Sequence, residues 1–148
     1  MKTRNNDEYS MILLKPDAYI RNLTGAILQE FRRAGLKIIY TKKIQLTEEM
    51  LRGYQPLLNE PDDNGETAWQ FDIIKAYTQM PTDIYLFYGN DAIRKTNEIK
   101  QRLRDQYIKG ENKCIIYNLL HAADDPADLK LNVSILIPEK LNLIEKED

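Results

Sequence analysis

YSMILLKPDAYIRNLTGAILQEFRRAGLKIIYTKKIQL, residues 9–46, sets the architecture through three changes of texture. Tyr9 to Leu14 is a short apolar run with the length of a buried strand. Lys15-Pro16-Asp17 stops it, because proline fixes its own φ and pushes its predecessor toward extended geometry. From Leu23 to Ala34, Ile27, Leu28 and Phe31 recur at helical spacing while Gln29, Glu30, Arg32 and Arg33 take the other face. Gly35 stands where a helix ends on a left-handed residue. Leu36 to Leu46, rich in Ile and Tyr, then reads as a second strand.

Working outward, Thr47 caps a short helix whose first turn carries Glu48 and Glu49. Asn59 to Glu66 is a loop. Ala68 to Gln79 is a helix with Trp69, Ile73, Ile74 and Tyr77 along its apolar stripe, and Pro81 follows it. Asp83 to Tyr88 is a third strand, and Asn90 caps a helix from Asp91 to Tyr107. Gly110 to Lys113 is a turn and Cys114 to Tyr117 a fourth strand. Beyond Asp125-Pro126 two readings compete: a helical turn at Ala127–Lys130, or a strand on the alternation of Leu129, Leu131, Val133 and Ile135. The order β-α-β, extra helices, β-α-β predicts an α/β sandwich of the ferredoxin-like βαββαβ type, a four-stranded antiparallel sheet covered by helices. That arrangement hosts many unrelated activities, so function must come from a site.

The 148 residues make one domain over 1–148, with 1–8 as a loose lead-in and 141–148 as an acidic tail. A hydrophobic content of 43% supplies a sizeable core and excludes global disorder. Twenty-one basic against 23 acidic residues argue against a general nucleic-acid binder, although a local basic pocket fits within a balanced total. The lone Cys114 has no internal partner for a disulfide, which fits a reducing compartment. No apolar stretch approaches the roughly 20 residues of a membrane helix. The polar N-terminus lacks a signal core, so a cytoplasmic, soluble chain is the default expectation.

His121, the only histidine, lies in Tyr117-Asn118-Leu119-Leu120-His121-Ala122-Ala123-Asp124, just beyond the fourth strand as read here. Imidazole serves as a base or a nucleophile near neutral pH, although on position alone a hydrogen-bonded structural histidine is the commoner case. One His and one Cys give no zinc pattern. Lys15 ends the first strand, where open sheets place ligands; taken alone, a solvated lysine beside a turn is the commoner case there. Asp17 reads as a local backbone acceptor. No glycine-rich phosphate loop exists, so a nucleotide would be held by side chains.

Taken together, Lys15-Pro16-Asp17, the helix ending at Gly35 and Asn118-x-x-His121-x-x-Asp124 resemble nucleoside diphosphate kinases, in order and spacing, over about residues 9 to 128. The resemblance implies ping-pong transfer of a γ-phosphoryl group from a nucleoside triphosphate to a nucleoside diphosphate through a phosphohistidine on His121. Mg²⁺ would arrive with the nucleotide phosphates, and no protein-held metal is implied. It further implies that Lys15 contacts phosphate and ribose, Asn118 the sugar hydroxyl, and Arg104 phosphate. Tyr54 would abut the imidazole and Trp69 would stack on the base, with packing on the helix stripe as the alternative for Trp69 and a solvated helix charge for Arg104. A homo-oligomer is implied, built from dimers into tetramers or hexamers. A loop that takes part in hexamer contacts in the family is missing here, so a dimer is expected first. The balanced charge and short apolar runs argue against a nucleic-acid or membrane partner.

Departures from the family pattern accompany the match. Asn97 stands where the family has Arg, Ala123 where it has Ser, and Asn132 near a Glu that orients the ring. A loop with a phosphate-binding Thr is missing before Arg104, leaving Arg94, Lys95 or Arg102 as possible compensating cations. Each loss weakens phosphate clamping or ring orientation. The alternatives to a working kinase are a nucleotide-binding regulatory relative with weak or no transfer activity, and a purely structural interaction module.

Overall fold

A computed structural model of the chain describes residues 6–55, 74–108 and 118–145. Its strands are β1 (Asp7–Leu14), β2 (Lys37–Ile44), β3 (Thr82–Asn90) and β4 (Leu120–Ala122). They form one sheet in the order β2-β3-β1-β4, with every neighbouring pair antiparallel. Its helices are α1 (Pro16–Ile20), α2 (Thr24–Arg33), α3 (Glu48–Tyr54), α4 (Ala92–Tyr107), α5 (Pro126–Leu136) and α6 (Leu141–Glu145). Residues 74–78 are also helical, and Pro138–Lys140 forms a 3₁₀ turn. This is the ferredoxin-like sandwich that the element order predicts.

The second half of inner strand β1, Met11–Leu14, is an unbroken apolar run because helices cover both faces of the sheet. Its alternate residues divide the core in two. Met11 and Leu13 join Leu51, Tyr54, Val133 and Leu136 from α3 and α5. Ile12 and Leu14 join Ile27, Phe31, Ile99 and Leu103 from α2 and α4. Phe31 stacks on Phe87 at 4.6 Å between ring centroids. Gly35 ends α2 with a φ of 83°, the left-handed geometry expected of it. Thr47 caps α3 by accepting the Met50 amide at 3.1 Å.

Several boundaries differ from the sequence reading. The strand expected at Cys114–Tyr117 falls outside the described residues; the strand that completes the sheet, Leu120–Ala122, contains His121 instead of preceding it. Residues 126–136 are a helix throughout, not a strand. Asp125 caps it by accepting the Asp128 amide at 2.8 Å, and Pro126 takes the first turn, where no amide is needed. Asn90 belongs to β3, and Asp91, at φ 50°, is the residue at the N-cap of α4. β1 begins at Asp7, inside the expected lead-in, and α6 occupies the start of the expected tail with Ile144 buried. Among the described residues, no helix is long and apolar enough to cross a membrane.

Candidate active site

Three residues of edge strand β4 set the site. Leu120 and Ala122 point into the core beneath α4. His121, opposite Leu13 in the ladder, turns to the other face, toward α3 and α5. Tyr54, at the end of α3, packs on the imidazole at 4.9 Å between ring centroids, tilted by 47°. Burial raises the Tyr54 phenol pKa far above its ordinary value, so the residue stays neutral.

The imidazole is held from both sides. Its Nε2 lies 2.7 Å from Asn132 Oδ1, and Asn132 is fully buried. The Asn132 amide nitrogen donates to the Asp128 carbonyl at 2.5 Å and to Asp128 Oδ1 at 3.0 Å. Both partners of that nitrogen are acceptors, so the amide cannot flip without losing two hydrogen bonds, and its oxygen must face the ring. Nε2 is therefore the protonated nitrogen and Nδ1 carries the lone pair. Gln55 Nε2 approaches Nδ1 at 3.3 Å, as a donor to that lone pair. Desolvation pushes the His121 pKa down to about 4, against the Asn132 hydrogen bond; the Lys15 and Lys100 charges push it the same way. The ring is neutral at physiological pH.

The approach to β4 is fixed by residues around the end of β1. Lys15 donates its backbone amide to the Leu119 carbonyl at 2.9 Å. Its ammonium, buried, donates to Asn118 Oδ1 and lies 5.6 Å from the Tyr77 ring centroid. Asp17 accepts the Leu119 amide at 3.1 and 3.2 Å, so it is a backbone acceptor for a distant segment as well as for its own amide. It pins Leu119 at a φ of 74°, a conformation unfavourable for a branched side chain. Burial raises the Asp17 pKa, opposed by the Leu119 hydrogen bond.

Arg104, in the last turn of α4, holds the same segment from the other side. Its Nε donates to the Asn118 carbonyl at 3.0 Å and its Nη2 to the Leu120 carbonyl at 2.7 Å. The candidates for compensation lie elsewhere: Arg94 pairs with Asp91 and Glu98, Lys95 donates to the Ala34 carbonyl, and Arg102 pairs with Glu30. Asn97 bonds the Ala123 carbonyl at 3.0 Å. His121 opens onto a cleft of ≈ 470 Å³ lined by Tyr54, Gln55, Asp124, Asp128 and Leu131 among others. The structure thus brings His121, Tyr54, Lys15, Asn118 and Arg104 together. Trp69 lies outside the described residues.

A family model described as nucleoside diphosphate kinase matches residues 8–141, most of the chain. The chain belongs to the nucleoside diphosphate kinase family. Among similar proteins, the nucleoside diphosphate kinase of Nitrosospira multiformis is 25% identical over 142 residues, covering 89% of this chain and 94% of that one. That of Pyrobaculum aerophilum is 24% identical, covering 90% and 96%. The crystal structure of the Aquifex aeolicus nucleoside diphosphate kinase aligns with a TM-score of 0.70 at 22% identity, over 88% of this chain and 95% of that one. An NDP kinase structure from Pyrobaculum aerophilum gives 0.65 at 20%, over 90% and 97%. At those identities the solved structures establish the shared fold.

Within a nucleoside diphosphate kinase framework, the sequence reading misjudges Asn132 and misses Gln55. Asn132, counted as a lost orienting residue, orients the ring after all, because an amide oxygen accepts from Nε2 as a carboxylate would. Gln55 follows Tyr54 and reaches Nδ1, and no motif marks it.

Proposed function

We propose that the chain transfers the γ-phosphoryl group of a nucleoside triphosphate to a nucleoside diphosphate through a phosphohistidine on Nδ1 of His121. The observation that carries this is the locked amide of Asn132, which holds the proton on Nε2 and leaves the Nδ1 lone pair for attack. A neutral imidazole needs no deprotonation to act as a nucleophile at phosphorus. In the first half-reaction the Nδ1 lone pair forms the N–P bond. The bond from the γ-phosphorus to its bridging oxygen breaks, and the diphosphate leaves with the electron pair. In the second, a terminal oxygen of a different nucleoside diphosphate attacks the phosphorus, and the N–P electrons return to Nδ1. The Nε2 proton stays in place throughout, and the Asn132 amide oxygen, accepting from Nε2, stabilises the positive charge that the ring carries once N–P is formed.

The rest of the site is assigned to positioning and charge neutralisation, which dominate phosphoryl transfer. Lys15 and Arg104 face the phosphates, and Mg²⁺ enters with the nucleotide as part of the substrate. Asn118, with its side-chain oxygen taken by Lys15, offers its amide nitrogen to the sugar hydroxyl. Trp69 is the proposed platform for the base, where stacking tolerates any base. A homodimer is the assembly expected first, read by sedimentation at micromolar concentration.

Incubation with γ-labelled ATP and Mg²⁺ should give acid-labile, alkali-stable label on the protein. His121→Asn should carry none while keeping its circular dichroism spectrum; label retained in that variant would refute the mechanism. The Gln55 amide resting on Nδ1 favours a second reading, a regulatory relative that binds nucleotide without transfer. Binding of ADP without any label on the wild-type chain would select it.

A further inference from the structure

We propose that Lys100 is a phosphate-binding residue, placing its ammonium against the phosphate chain of a nucleoside di- or triphosphate beside His121. The proposal rests on the nucleotide site described above and adds a cation to it.

Asn97, Lys100 and Arg104 fall at i, i+3 and i+7, one face of α4. The outer two are docked on the backbone that contains His121. Asn97 holds the Ala123 carbonyl at 3.0 Å, and Arg104 holds those of Asn118 and Leu120 at 3.0 and 2.7 Å. Lys100 lies between those anchors, so its side chain runs along the same short segment. Only 14% of it is exposed. Among the described residues its ammonium has one polar contact, Asp124 Oδ1 at 3.5 Å, and the Asp124 side chain is 75% exposed. Charge-assisted bonds from nitrogen to carboxylate are ordinarily about 2.7–2.9 Å. A cation drawn largely out of water and met by one distant, solvent-facing carboxylate is poorly compensated. An ammonium has three donors, so a phosphate oxygen can add to Asp124 or replace it.

Electrostatics points the same way. Burial and the Arg104 charge lower the Lys100 pKa, against the pull of Asp124 and the more distant Asp128. Lys100 and Lys15 are the two cations whose charge lowers the His121 pKa. The cleft beside His121 carries Asp124, Asp125 and Asp128, so a polyanion arriving there needs positive charge from the protein. Arg94, Lys95 and Arg102 are committed elsewhere on α4, and Arg104 spends two donors on carbonyls. Lys100, one turn beyond Asn97 on the same face, restores a charge to that face.

The test pairs two substitutions that a structural ion pair and a phosphate contact move in different directions. Calorimetry with Mg²⁺–ADP and label uptake from γ-labelled ATP are run on wild type, Lys100→Gln, Lys100→Arg and Asp124→Asn. Lys100→Gln should weaken ADP binding and slow labelling, each by roughly 10- to 100-fold, the range of a hydrogen bond to a charged group. Lys100→Arg should recover part of both losses. Asp124→Asn should tighten ADP binding several-fold, because it frees the ammonium and removes a nearby negative charge. Weaker ADP binding in both Asp124→Asn and Lys100→Gln, or unchanged binding in Lys100→Gln, would overturn the proposal. Should Lys100→Gln fail to fold, the Asp124→Asn result decides alone. A wild-type chain that binds ADP but takes no label, with binding still weakened by Lys100→Gln, would defeat the transfer mechanism and leave this inference standing.

Discussion

Behind the imidazole and in front of it, the site is built in opposite ways. Behind it, α5 supplies a closed chain, His121 Nε2 to Asn132 to Asp128, in which every polar atom of the buried amide has a partner. In front, on α4, Arg94, Lys95 and Arg102 are paired away from the imidazole, and Arg104 already serves the strand's own carbonyls. Asn132 holds the ring with an amide where the family resemblance implies a carboxylate, and Asn97 stands where it implies an Arg. Orientation of a nucleophile depends on one acceptor in one place, so a neutral group can take it over. Neutralising a transferring phosphoryl group depends on total charge, so a lost Arg must be replaced by another cation or missed.

Asn132→Leu should break the rear half hardest. It frees the ring to change tautomer, and labelling of His121 should fall by roughly 10²–10⁴ while ADP affinity stays within about twofold. Loss of affinity without loss of labelling rate would place Asn132 in binding, not in orientation. Arg104→Ala should come next and act on both stability and rate. Two carbonyls of the edge strand lose their donor, costing about 1–3 kcal/mol by urea denaturation, and labelling should slow by roughly 10- to 100-fold. Arg33→Ala, an exposed partner of Glu30, should change stability by less than about 0.5 kcal/mol and serves as the reference. Equal effects of the two substitutions would return Arg104 to the status of a solvated helix charge.

Much of the frame was legible because its signals are periodic. The run at Tyr9–Leu14, the stripe of Ile27, Leu28 and Phe31, and Gly35 each carried the expected geometry. α5 was harder because Leu129, Leu131, Val133 and Ile135 alternate, yet the buried positions are Leu129, Asn132, Val133 and Leu136, at helical spacing around a polar residue. Reading Asn132 as polar and therefore outward hides the stripe. The cap signal Asp125-Pro126-x-Asp128 was the stronger evidence for a helix. β4, three residues long, is too short for any period to register. Within the site, His121, Lys15, Asn118, Tyr54 and Arg104 came from a motif match, and the structure gathers them. Gln55 belongs to no motif, and only the folded chain brings it to the imidazole.

Gln55→Ala sharpens the contrast at smaller scale. Its amide makes a long contact to Nδ1, so removal should speed labelling by about threefold, as expected for loss of a weak bond to the attacking atom. Slower labelling would instead place Gln55 on the phosphoryl group, with the front of the site. The smallest effect concerns pH. The folded His121 pKa, about 4, lies below its ordinary 6.5. The unfolded chain therefore binds more protons between those values, and this group's contribution to stability is complete above 6.5 and lost as pH falls toward 4. Urea midpoints should rise with pH across that window, and the rise should be shallower in His121→Asn. Labelling should vary by less than about twofold between pH 6 and 8; a fall centred near 6.5 would mean that the ring titrates as it would in water.

Asn132, in the proposed mechanism, reserves Nε2 for a proton and Nδ1 for phosphorus. Correlated ¹⁵N and ³¹P spectra of the chain, labelled with ¹⁵N in its single histidine and phosphorylated by ATP with Mg²⁺, locate the new bond directly. Phosphorus should be bonded to Nδ1, with a proton retained on Nε2. Phosphorus on Nε2 would contradict that mechanism.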